Sequence, residues 1–130
     1  MTRKEQYNQL ILQIAELIKD ETNLVGILAN VSAALHDTFP ERFFWVGFYL
    51  QENGNMLRLG PFQGSVACYV IPFGKGVCGK AWEEGRTLIV PDVEKFPGHI
   101  ACSSLSRSEI VVPMRSEERR VGKECASMCR

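Results

Sequence analysis

Two helical patterns followed by a run of short, turn-punctuated, β-prone segments predict an α+β domain, an antiparallel sheet with helices packed against it. Three observations carry that expectation. Apolar residues recur at helical spacing as far as Leu35, the texture turns aromatic and β-prone from Phe43 onward, and one glycine-rich helical stretch interrupts the strands around Trp82. At 130 residues the chain is one domain at most, and it is long enough to bury a hydrophobic core.

Taken in order, Thr2 and Glu5 have the spacing of a capping box, and Tyr7, Leu10, Ile11, Ile14, Leu17 and Ile18 then follow a helical period. Asn23 can cap a second helix with Leu24, Ile27, Leu28, Val31 and Leu35 on one face, and His36 at its end suits the helix dipole. "RFFWVGFYL" and "MLRLGPFQ" read as strands joined by "QENGN", whose Asn53-Gly54 step signals a hairpin. "SVACYVI" reads as a third strand. "GKGVCGKAWEEG" reads as a loop entering a short helix that stops at Gly85. "RTLIVPD" is a short strand, Asp92 to Ser108 a long loop with at most one helical turn, and "EIVVPM" a further strand. A loop of that length in a compact domain is usually functional.

The charge balance excludes some functions. Fifteen Lys and Arg offset fifteen Asp and Glu, so no basic excess exists to hold a phosphate backbone, and nucleic acid is not an expected partner. No apolar run is long enough to cross a bilayer, and "MTRKEQYNQ" lacks a signal-peptide core, so a cytoplasmic protein without membrane partners is expected. The five cysteines are Cys68, Cys78, Cys102, Cys125 and Cys129. An odd count in a reducing compartment argues against a stable disulfide framework. Two histidines and no C-x-x-C spacing make a metal site a poor expectation. Cys102 lies in the long loop "GHIACSSLSRSEIVVP" beside His99 and Arg107, and composition alone leaves it a reactive thiol or a packed one. Glu109 is the nearest carboxyl that could supply a proton.

"WVGFYL", "LGPFQGSVACYVIPFGKGVCGKAW" and "VPDVEKFPGHIACSSLSRSEIVVP" together resemble the free methionine-(R)-sulfoxide reductases, small enzymes of GAF fold. The resemblance runs from about Asn23 to Met114. It is specific because three cysteines fall in three motifs, A-C-x-x-I-P, G-V-C-G and G-H-I-A-C. It implies a six-stranded antiparallel sheet with a ligand pocket under long loops. It implies that a thiolate attacks the sulfur of free methionine sulfoxide, leaving a sulfenic acid that a second cysteine converts to a disulfide for thioredoxin to reduce. Cys102 matches the nucleophile, Cys68 the resolving cysteine and Cys78 a third cysteine with a resolving or relay role. Trp45 matches an aromatic wall of the substrate pocket, and Glu109 a carboxylate near the substrate. No bound cofactor and no metal are implied, and a homodimer stays open.

After "EIVVPM" the resemblance stops. The family continues roughly as D-G-x-x-I-G-V-L-D-I-D-S and a closing helix, with an aspartate pair that helps to bind the substrate's ammonium. This chain instead reads "RSEERRVGKECASMCR", with seven charged residues between Arg115 and Cys125. "RSEERRVGKEC" also matches one translated frame of a common DNA-sequencing adapter. The sequence therefore predicts an incomplete domain over residues 1–114 and a non-family tail over 115–130, artefactual or disordered. The last strand and closing helix would be missing, and stability and activity impaired. The alternative to an enzyme is a GAF module that senses a small ligand or redox state without turnover.

Overall fold

The structure, a computed structural model, describes residues 1–52, 54–98 and 107–115 and the backbone of 124–129. His99 and Cys102 lie outside the described residues, as do Asn53 and most of the expected tail.

Helix α1 spans Arg3–Ile18 and starts on the expected capping box, in which Thr2 Oγ1 accepts from Glu5 N–H while Glu5 accepts from Thr2 N–H, each at 3.1 Å. Helix α2 spans Leu24–Thr38 and packs against α1, with the rings of Tyr7 and Phe39 4.5 Å apart. Asn23 occupies the cap position of α2 without a side-chain hydrogen bond. Ile11 and Leu17, expected on the packed face of α1, are instead 64% and 48% exposed. The physical reason is that α1 packs chiefly on α2, a narrow partner, and buries Leu10 alone completely among the described residues.

The strands are β1 (Trp45–Glu52), β2 (Met56–Gln63), β3 (Val70–Pro72), β4 (Leu88–Val90), β5 (Glu109–Met114) and β6 (Glu124–Cys129), in the order β3-β2-β1-β6-β5-β4, all antiparallel. Helix α3 (Gly76–Glu84) and a 3₁₀ turn (Val93–Lys95) lie between them. Strand alternation divides the sheet into two faces. Val46 and Phe48 face α2, which packs on β1 and β2, whereas Trp45 and Tyr49 join Val77, Cys78, Ala81 and Trp82 of α3 in a second core.

β2 carries one extra residue. Gly47 pairs with Phe62 but Tyr49 pairs with Leu59, so a bulge falls at Gly60-Pro61. Leu59 and Phe62, on opposite faces in a regular strand, therefore both join the face of Trp45. Proline is confined to such irregular sites in sheets because it cannot donate to the ladder. The carbonyl of Pro61 faces the buried hydroxyl of Ser32 on α2 at 3.5 Å.

Three expectations are corrected. The third strand was expected from Ser65, but β3 begins at Val70. Val66 and Tyr69 are 83% and 79% exposed, and the Cys68 carbonyl accepts from the Tyr49 hydroxyl rather than from a neighbouring strand. The glycine-rich stretch does lead into a helix that stops at Gly85, but the loop before it is shorter than expected. The helix starts at Gly76 and takes Cys78 into its first turn. Most consequentially, a strand does follow Met114. β6 inserts between β1 and β5, its Ser127 paired with both Gly47 and Val111, so the open edges expected there are closed. Beyond the charge run, Cys125–Cys129 are small or apolar residues suited to a central strand.

Candidate functional site

The site-bearing residues converge on the α3 side of the sheet. Trp45 opens β1 and is 5% exposed, and its indole stacks on Phe62 at 5.2 Å and on Tyr49 at 6.0 Å. The indole lies flat because two glycines leave room for it. A methyl group on Gly47 would sit 2.8 Å from the indole's Cη2, and one on Gly64 would sit 2.9 Å from its Cδ1. Gly64 also has φ +136°, which side chains disfavour.

Cys78 is buried in the first turn of α3, and Glu109 opens β5. They meet at 4.0 Å from Sγ to Oε2, a long S–H···O contact with the carboxylate accepting. Backbone register relates Glu109 to Trp45: Cys129 of β6 pairs with both. The two residues therefore occupy one row, two strand spacings apart, or roughly 10 Å.

Cys68 is half-buried and disulfide-bonded, whereas Cys78 is buried and in no disulfide. The Tyr49 hydroxyl donates to the Cys68 carbonyl at 2.8 Å, fixing the Cys68 loop over β1. Cys102 also lies outside the described residues, but both ends of its segment are anchored. The Gly98 carbonyl accepts from Gly76 N–H at the start of α3, and the Arg107 carbonyl accepts from Val93 N–H just before β5. Gly98 is thus tied to the start of the helix that carries Cys78, and Arg107 lies two residues before Glu109.

Sequence reasoning named Trp45, Cys68, Cys78 and Glu109, and the structure brings all four to one face. It missed three supports. Tyr49 and Phe62 complete the aromatic stack; the Gly60-Pro61 step, a bulge signal, could have revealed Phe62. Arg115, assigned to the tail, holds α3 instead. Its Nη2 donates to the Trp82 carbonyl at 2.7 Å, and its guanidinium lies 4.7 Å from the centroid of the Trp82 ring. A separate open groove of about 430 Å³ lies between β4 and the 3₁₀ turn, lined by Ile89, Pro91, Asp92 and Phe96 among others, and none of the four site residues reaches it. Among the described residues no helix is long and apolar enough to cross a membrane.

Comparison with known proteins agrees with this fold. The GAF domain profile matches residues 23–127. The GAF domain-containing protein A of Dictyostelium discoideum is 56% identical over 121 residues, 93% of this chain and 75% of that protein. The free methionine-R-sulfoxide reductase of Saccharomyces cerevisiae is 44% identical over 123 residues, 91% of this chain and 68% of that protein. The X-ray structure of the Neisseria meningitidis free methionine-R-sulfoxide reductase in complex with its substrate superposes with a TM-score of 0.92 at 47% identity, covering 99% of this chain and 75% of that one. With its α+β fold, its antiparallel sheet and these relatives, the chain belongs to the GAF-domain free methionine-R-sulfoxide reductases.

Proposed function

We propose that this chain reduces free L-methionine (R)-sulfoxide to methionine, with Cys102 as the nucleophile. The observation that carries the reading is the likeness, at 47% identity, to a reductase solved with its substrate. The Cys102 thiol gives up its proton and the thiolate attacks the sulfoxide sulfur. The oxygen passes to the enzyme, methionine leaves with its sulfur reduced, and Cys102 is left as a sulfenic acid. Glu109 supplies the proton that the departing oxygen needs. The Cys68 thiol then attacks the sulfenic sulfur, water leaves, and a Cys68–Cys102 disulfide forms, which the dithiol of thioredoxin reduces. The disulfide at Cys68 supports a resolving role there. Cys78 relays the disulfide or assists Glu109, and the Trp45 indole walls the apolar end of the substrate. No bound cofactor or metal is required, and the thioredoxin requirement suits the cytoplasm.

The test is NADPH oxidation coupled through thioredoxin and its reductase, with free (R)- and (S)-sulfoxides and a peptide-bound sulfoxide as substrates. Turnover of the free (R) form alone, abolished in Cys102→Ser, is expected. Equal turnover by Cys102→Ser overturns the nucleophile assignment. Binding of the sulfoxide without turnover by the unsubstituted chain would favour a sensor.

A further inference from the structure

Among the described residues, the indole nitrogen of Trp45 is the buried side-chain polar atom without a hydrogen-bond partner. A buried donor left unpaired costs the free energy of its lost hydration, so such an atom in a native core calls for an explanation. The N–H is not stranded by accident of packing. The adjoining Cδ1 lies against Gly64, where a side chain would push the ring out of place, and the opposite edge lies over Gly47. Phe62 and Tyr49 stack on the ring and fix its plane. The fold thus holds a neutral donor in one orientation within an aromatic surround.

Resting on the function proposed above, we infer that Trp45 Nε1–H donates to the sulfoxide oxygen of the substrate and so sets the preference for sulfoxide over thioether. The surround decides which oxygen. Phe62, Tyr49 and Leu57 offer no positive charge, and Arg115, which lies over Trp82 of the same core, is engaged there. A carboxylate held there by one neutral donor would be a poorly compensated buried charge. A sulfoxide oxygen is a strong but uncharged acceptor, and one neutral donor satisfies it. Product methionine lacks that oxygen, leaves the N–H unpaired again, and is released more readily.

The test replaces Trp45 with β-(3-benzothienyl)alanine, which keeps the bicyclic shape and puts sulfur in place of N–H. It is made in a Cys102→Ser chain so that ligands bind without turnover. Calorimetry should show affinity for L-methionine (R)-sulfoxide falling about tenfold while affinity for L-methionine stays within about twofold. Equal loss for both ligands, or no loss, overturns the assignment. A second measurement needs no altered indole: in ¹⁵N-labelled Cys102→Ser chain, the Trp45 indole resonance should move downfield with the sulfoxide and not with methionine, Trp82 serving as the internal reference. Binding of the sulfoxide without that shift sinks this inference alone. No binding of the sulfoxide at all sinks the reductase reading and this assignment with it.

Discussion

The sulfur of Cys78 sits 4.0 Å from Oε2 of Glu109, bridging the first turn of α3 and the first residue of β5. Two elements that could drift apart are thus joined at the position where the proposed chemistry needs a proton. Glu109→Gln keeps the shape and an acceptor for the thiol but removes the acid. Turnover of free methionine (R)-sulfoxide should fall by roughly 10²- to 10⁴-fold. The melting temperature should stay close to that of the unsubstituted chain. Near-normal turnover would remove Glu109 from the mechanism.

Cys68 should be needed for recycling and not for the first reduction. Cys68→Ser is expected to release about one methionine per chain in a rapid burst and then stop, because no sulfur is placed to displace water from the sulfenic acid. Quench-flow measurement of methionine, with dimedone trapping of the sulfenic acid, checks this. Sustained thioredoxin-dependent turnover in Cys68→Ser would move the resolving role to Cys78.

Gly47 carries the flat seat of the indole. A methyl group there would clash with Cβ of Phe62 and lie 2.8 Å from Cη2 of Trp45. Gly47→Ala should destabilise the fold by about 1–3 kcal/mol, the usual range for overpacking. It should also weaken the near-ultraviolet circular dichroism of the Trp45–Phe62 stack. An unchanged melting curve would show that the strand has room to shift.

Arg115 ties α3 to the end of β5 through the Trp82 carbonyl and ring. Arg115→Ala should cost about 1–2 kcal/mol in chemical denaturation, from one lost hydrogen bond and one cation–π contact. Arg115→Lys should recover only part of it, since a lysine cannot both lie flat on the ring and reach the carbonyl in the same geometry. Full stability in both variants would mark the contact as incidental.

β6 is the boldest feature to check. Ser127 is paired on both sides, with Gly47 and with Val111, so proline at that position removes a ladder donor in the middle of the sheet. Ser127→Pro should lower the melting temperature sharply and abolish cooperative melting, because proline is tolerated only at sheet edges and bulges. Melting indistinguishable from the unsubstituted chain would place residues 124–129 outside the sheet.

What the residues disclosed in advance, and what they withheld, follows from the range of the interactions involved. The α1 capping box and the β1–β2 hairpin depend on neighbours a few residues apart, and both stand where the sequence puts them. Trp45, Cys68, Cys78 and Glu109 stand out in the sequence through short motifs. Their meeting on one face does not, because it depends on pairing across the whole sheet. The shortened β3 escaped notice because Cys68 looks like a strand residue until its carbonyl is seen to accept from Tyr49, 19 positions earlier. β6 escaped because its evidence lies in its neighbours. Six residues of modest β character become a strand only when β1 and β5 both present unpaired edges.

The bulge at Gly60-Pro61 gives β2 one residue more than the stretch of β1 it pairs with, and this limits how its length can vary. Deleting Gly60 would not merely shorten the strand. It would restore strict alternation and send either Phe62 or Leu59 to the far side of the sheet, emptying one side of the indole stack and overfilling the layer beneath α2. A change of two residues would preserve the sidedness, at the expense of the hairpin. Length changes in β2 should therefore be tolerated by parity, so that in a library of insertions and deletions between Met56 and Gln63 the folded survivors would differ from this chain by even numbers.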